Sequence, residues 1–355
     1  MDGHKKAMKP RAIILFVTLH LTMQSIDSAC VLADFVTFGS GGNTFTMEFV
    51  EVGNPGNTAD TLESPNPAGA VSYTYQIGKY EVSRNMIDLY NTNYGTANSL
   101  AITMQDMTSY GGNGANKPAT GISWNEAARF VNWLNTSQGY SEAYKFSTSS
   151  ATDNIDVWTS GDVGYDASNP YRNSNANYVL PSTDEFYKAA FYDPDGAVWF
   201  DYATSDGSVP TAVSSGTTVN TAVFNEATAT GPADVDQAGG LNAYGIMGLS
   251  GNVYEWEESS FDQTNASPTL NRSRRGGSWA TTNVNYLSSS LRSGNPATLE
   301  NLGTGFRVVS LNAAIPEPRL TISLFFIGVA GVIVFHRRRD RVVASLRNDK
   351  GCGND

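Results

Sequence analysis

The run "FVTFGSGGNTFTMEFVEVGNPGNTAD" (35–60) alternates apolar and polar positions between Gly/Asn turns, as short strands do. In "YTYQIGKYEVSRNMIDLYN" the spacing predicts a strand ending near Val82, then a helix capped by Ser83 with Met86, Leu89 and Tyr90 on one face. "TGISWNEAARFVNWLN" is the clearest helix: Ala127, Phe130, Val131 and Leu134 form its inward stripe. Ser123 and Glu126 there have the S-x-x-E spacing of a capping box, and Ser182 and Glu185 repeat it ahead of Phe186, Ala189 and Ala190. For both glutamates capping outweighs catalysis, since the spacing already accounts for them. The polar stretch 147–178 reads as loops with a short hairpin, and 192–241 has little periodicity. The pattern predicts an α+β fold, with strands and a few short helices separated by long loops.

The two ends follow a different pattern. Lys5, Lys6, Lys9 and Arg11 precede the apolar run "AIILFVTLHL", and small residues follow up to Val31-Leu32-Ala33, which predicts a signal peptide over 1–33. At the other end Pro316-Glu317-Pro318 precedes "LTISLFFIGVAGVIVF" (320–335), which is 16 residues without a charge, and then "HRRRDR". As a helix this run would span about 24 Å, enough to cross a membrane with arginine snorkelling. Basic residues at both ends predict that the middle is exported. The tail resembles a PEP-CTERM sorting signal over 315–341, followed by a cytosolic tail over 342–355. That resemblance implies processing by an exosortase-type enzyme, membrane attachment through the helix before cleavage, and an envelope or extracellular-matrix location. The folded domain is then expected to span 34–314.

Charge and composition narrow the chemistry. Residues 34–318 hold 12 Lys/Arg against 29 Asp/Glu, so the exported part repels phosphate backbones and no nucleic-acid partner is expected. The chain's two cysteines are Cys30 and Cys352, and its three histidines are His4, His20 and His336. The domain between them therefore has no thiolate and no imidazole. Thiolate copper, Cys/His zinc, two-histidine iron and Ser-His-Asp catalysis are all excluded there by residue type.

Six motifs occur in order: "GKYEVSRNMIDLYN", "PATGISWNEAARFVNWLN", "YVLPSTDEFYKAAF", "NAYGIMGLSGNVYEW", "RRGGSWATT" and "GTGFRVV". Together they resemble the formylglycine-generating enzyme, or sulfatase-modifying factor, family over roughly Phe35 to Ser310. The resemblance implies a single C-type-lectin-like domain, low in regular secondary structure and often binding calcium. It also implies oxidation of a sulfatase cysteine by copper held on two cysteines upstream of the closing "GFR". Those positions fall on Val284 and Ser289, neither of which offers the soft ligand that copper(I) demands, so copper is not expected. Related sulfoxide synthases use histidine-bound iron, for which the domain has no residue.

For calcium, the matching positions are the carbonyls of Gly251 and Val253 and the side chain of Glu255, with Gly248 standing where the family supplies Asp or Asn. Oxygen ligands suit calcium. The other reading of Glu255 is a tie that pins the turn while Tyr254 and Trp256 pack, with proton chemistry the remote alternative. Arg275, Arg292 and Arg307 are expected to bridge core loops rather than to recognise a ligand. The expected function is a non-catalytic binding module for an extracellular glycan or protein. The alternatives are a divergent oxidoreductase of the family, a hydrolase using Asp162, Asp166 or Glu226, and an inert matrix component.

Overall fold

The computed structural model describes residues 34–62, 67–148 and 153–311, all within the first of two units, Met1–Ala313 and Ala314–Asp355. The expected signal peptide, sorting signal, apolar helix 320–335 and cytosolic tail lie outside the described residues. Among the described residues no helix is long and apolar enough to cross a membrane.

A five-stranded sheet holds β1 (Asp34–Ser40), β2 (Asn43–Val52), β3 (Tyr75–Gly78), β4 (Tyr178–Val179) and β13 (Val309–Ser310), in the order β1-β2-β3-β13-β4. β1 and β2 form a hairpin closed at Ser40 and Asn43 by Gly41-Gly42, where the positive φ of Gly41 suits a two-residue turn. On β2 the alternation is read out directly: Phe45, Met47 and Phe49 are buried, with Thr46 exposed and Glu48 half-buried between them. Three helices follow the expected places: α1 (Arg84–Tyr90), α2 (Trp124–Ser137) and α3 (Thr183–Phe191). Both capping boxes form, Ser123 with Glu126 and Ser182 with Glu185. On α1 the deepest apolar positions are Ile87 and Tyr90, while Met86 and Leu89 pack from the margin.

α2 is buried from Trp124 through Asn135 and packs against β1, β4 and α1. Around it Phe130 meets Phe306 edge-on at 5.6 Å and Tyr90 meets Trp133 at 5.4 Å, ring geometries that add to plain area burial. Among the described residues of 147–177 no strand forms, and Asp156 makes an isolated bridge to Lys145, just before the stretch in which a hairpin was expected. Two-residue ribbons, β5 (Tyr192–Asp193) with β6 (Val198–Trp199) and β7 (Thr211–Ala212) with β8 (Thr221–Ala222), punctuate the next loops. A second sheet closes the domain: β9 (Tyr254–Ser260), β10 (Arg272–Arg275), β11 (Ser293–Asn295) and β12 (Thr304–Gly305), in the order β11-β10-β9-β12.

Candidate functional site

The "SGN" turn that launches β9 is built from backbone. Gly251 has φ +89°, and a Cβ there would lie 2.5 Å from the Val223 carbonyl oxygen, so only glycine fits. Asn252 also takes a positive φ, which asparagine tolerates better than most residues. Its side chain ties three segments together: Oδ1 accepts from the Ala233 N–H at 2.8 Å, and Nδ2 donates to both Glu81 carboxyl oxygens at 3.0 and 3.1 Å.

β9 then carries three fully buried glutamates, Glu255, Glu257 and Glu258, and each meets an arginine. Arg307 presents its guanidinium fork to Glu255, Nη2 to Oε1 at 2.6 Å and Nε to Oε2 at 2.5 Å. The same arginine donates to the carbonyls of Gly78 and Met247, both at 2.9 Å, fastening β9 to the end of β3 and to the loop before the turn. Arg275 pairs with Glu257 at 2.8 Å, and the Thr183 hydroxyl donates to the other Glu257 oxygen at 2.7 Å. Arg172 bridges Glu258 at 2.8 Å and Glu185 at 2.7 Å. A buried ion needs such partners, because desolvation alone costs several kcal/mol.

Burial raises the pKa of Glu255 and Glu258, and the adjacent guanidinium opposes it in each case. Glu81 is pushed further, to about 8, first by burial and then by the charge on Glu255, with Arg307 opposing.

The residues proposed for calcium therefore meet an internal cation. Both Glu255 oxygens accept from Arg307, so a metal at that carboxylate would have to displace a guanidinium. Gly248 has φ +76°, and a Cβ there would lie 3.0 Å from the Glu81 carboxyl carbon; the space a longer side chain would enter is taken by Glu81. The Gly251 and Val253 carbonyls are the remaining expected donors. Among the described residues no group of three or more His, Cys, Asp or Glu is arranged to hold a metal ion.

Of the two positions expected to match the family's reactive cysteines, Val284 is half-buried and Ser289 is buried. Val284 begins the 3₁₀ turn Val284–Leu287 and packs against a cluster of Tyr202, Phe224 and Leu287. Ser289 is 1% exposed; its N–H donates to the Asp201 carbonyl at 2.8 Å and its carbonyl accepts from Arg275 Nη1 at 2.7 Å. The donor set at these two positions, a hydrocarbon and a hydroxyl, does not fit copper(I).

The candidate hydrolytic carboxylates are each tied to partners of their own. Asp162 pairs with Lys145 at 2.8 Å and closes the turn at Thr159; Lys145 and Thr159 hold its pKa down near 2. Asp166 is likewise lowered by the Ser168 hydroxyl and amide it accepts from. Glu226 sits on a loop tied by its own N–H to the Trp279 carbonyl at 2.9 Å.

Of the three arginines, Arg275 and Arg307 bridge core segments as expected. Arg292 instead lies 4.4 Å over the Phe261 ring, with Nη1 reaching the Ser273 hydroxyl at 3.2 Å. Sequence reasoning missed Glu81, Arg172, Asn252, Glu257 and Glu258. The signal available for the last two was a pair of carboxylates within the aromatic run "YEWEESS", where burial would demand partners.

The model of the sulfatase-modifying factor enzyme 1-like domain matches residues 37–311. The chain belongs to this family. Solved structures with the same fold include Treponema denticola variable protein 1, at 19% identity and a TM-score of 0.53 over 79% of this chain and 99% of that one. CarF is similar at 18% identity and a TM-score of 0.51, over 75% of this chain and 99% of its own. No curated protein matches the chain. The sulfatase-modifying factor domain here thus keeps the formylglycine-generating-enzyme-like, C-type-lectin-like scaffold.

Proposed function

We propose that this sulfatase-modifying factor domain is a non-catalytic binding module, exported and held at the cell envelope or in the extracellular matrix. The observation that carries the reading is the chemistry of the two reactive positions: Val284 is packed among aromatic and aliphatic side chains, and Ser289 is buried in backbone hydrogen bonds. With no cysteine or histidine anywhere in 34–318, no thiolate or imidazole of the domain can substitute as a ligand. Export follows from the basic-apolar-small pattern of the first 33 residues and from the tail's likeness to a sorting signal. In this reading Glu255 is a structural counter-charge for Arg307, and calcium at Gly251, Val253 and Glu255 is a weak competitor for that place. Competition for copper(I) against a chromogenic chelator tests the reading: the full-length protein, with Cys30 and Cys352 replaced by Ser, is expected to take up no stoichiometric copper. One tightly held copper per chain would overturn it.

A further inference from the structure

A cavity of about 290 Å³ lies between the 70–73 loop, the first turn of α3, the corner at 168–169 and the 259–265 loop. It shares no lining residue with the 248–255 turn or with the 284–291 segment. Most of its lining residues carry hydroxyl, amide or carboxylate groups, and these are fixed from behind. Asn265 Nδ2 donates to Asn169 Oδ1 at 2.7 Å, and Asn169 Nδ2 donates to Glu258 Oε1 at 2.5 Å. Arg172 then joins Glu258 to Glu185, so the wall is anchored in the buried ion-pair network. The Tyr73 hydroxyl donates to Glu185 Oε1 at 2.7 Å, which fixes a ring that remains 42% exposed at the rim.

Three groups in this lining have hydrogen-bonding capacity left over among the described residues. Asp184 Oδ1 accepts from the Gly69 N–H at 2.7 Å, and its other oxygen has no partner. Among the described residues the side-chain amide of the exposed Gln263 makes no hydrogen bond. The Ser259 oxygen accepts from the Thr183 N–H at 3.0 Å, leaving its proton to donate.

We propose that this cavity binds a neutral saccharide, with ring hydroxyls bonding to Asp184, Gln263 and Ser259 and the apolar ring face lying on Tyr73. The proposal rests on the binding-module reading and adds a site and a ligand class to it. An anion is disfavoured because Asp184 is the charge in the lining, and Arg275, the cation that acts on it, is not a lining residue. A divalent cation would want six to eight oxygens, and one carboxylate does not supply them. An apolar ligand would leave the hydroxyls and amides unpaired, a loss of about 1–3 kcal/mol for each buried group. Sugar hydroxyls both donate and accept, which matches free acceptors and donors held side by side. Groups already immobilised by the network lose little further entropy on binding. The volume is at the lower end of the roughly 300–1,000 Å³ usual for small-ligand sites, room for about one or two sugar rings.

Calorimetric titration of the full-length protein tests this with neutral gluco-, manno-, galacto- and N-acetylglucosamine tetrasaccharides, beside a uronic-acid tetrasaccharide. Saturable binding of at least one neutral saccharide is expected. It should weaken about tenfold or more in Asp184→Asn and Gln263→Ala, the loss of one or two hydrogen bonds. Gln263 is exposed, so its variant should melt where the parent does. Saturable binding that both variants leave unchanged would overturn the site while leaving the binding-module reading intact. Binding of the uronic-acid saccharide alone, or of none of the five, would overturn the ligand class.

Discussion

β9 and the 284–291 segment are joined by one residue, Arg275, which pairs with Glu257 on one side and holds the Ser289 carbonyl on the other. They follow opposite rules. On β9, Glu255, Glu257 and Glu258 are taken wholly out of water, and a guanidinium meets each of them. In 284–291 the two positions singled out by the family resemblance are a valine and a serine, held by apolar contact and backbone bonds. A buried pair adds little net stability, but removing one partner strands a charge and costs several kcal/mol. Apolar contact at the half-buried Val284 has the converse property: a change there costs in proportion to the volume removed and strands no charge. The difference teaches that β9 is held by charge pairing and the 284–291 segment by apolar contact and backbone bonds. The charges that hold β9 in place do not depend on the residues that would run the chemistry.

The strongest way to break the contrast is to strand one β9 charge. Arg307→Met leaves Glu255 and Glu81 buried beside each other without a counter-ion, and a loss of about 3–5 kcal/mol is expected in denaturant unfolding. Glu255→Gln should also destabilise, and the double variant should recover part of the loss. Strictly additive losses would show that the pair does not act as a unit.

A smaller effect concerns pH. Glu81 has a folded-state pKa of about 8 against an ordinary 4.5, so the folded state binds the extra proton between those values. Its contribution to stability is then full below about 4.5 and is lost as pH rises through about 8. The melting temperature is expected to fall by several degrees from pH 5 to pH 8.5, and Glu81→Gln should flatten that decline. An unchanged slope in the variant would remove Glu81 from the account.

The smallest expected effect is that of calcium. With Arg307 occupying both Glu255 oxygens, one millimolar calcium should raise the melting temperature by less than about 1 °C, since only binding well above its dissociation constant stabilises measurably. A rise of several degrees that Glu255→Gln abolishes would restore the calcium site.

Local features were legible in the sequence, whereas most of the site was not. Both capping boxes, at Ser123–Glu126 and Ser182–Glu185, involve residues three apart, so a short window contains the whole interaction. The alternation on β2 and the inward stripe of α2 are local in the same sense. Glu185 shows where this ends: the capping bond was readable, but the same carboxylate also meets Arg172 and Tyr73, which lie in loops without periodicity. Asn252 and Glu81 are 171 positions apart, and Glu255 and Arg307 are 52 apart. Neither residue's neighbours in sequence name its partner. The pairing is decided by which loops the two sheets bring together, and only the acidic run inside "YEWEESS" hinted that counter-charges were needed.

The central claim is that this domain retains its family's scaffold without the family's reaction. The most direct measurement is turnover of a cysteine-containing peptide by copper-treated, aerated full-length protein in which Cys30 and Cys352 are replaced by Ser, followed by mass spectrometry for the loss of thiol and gain of aldehyde. The account predicts no aldehyde above the copper-only control. Repeated turnover that is abolished by changing Ser289 would contradict it.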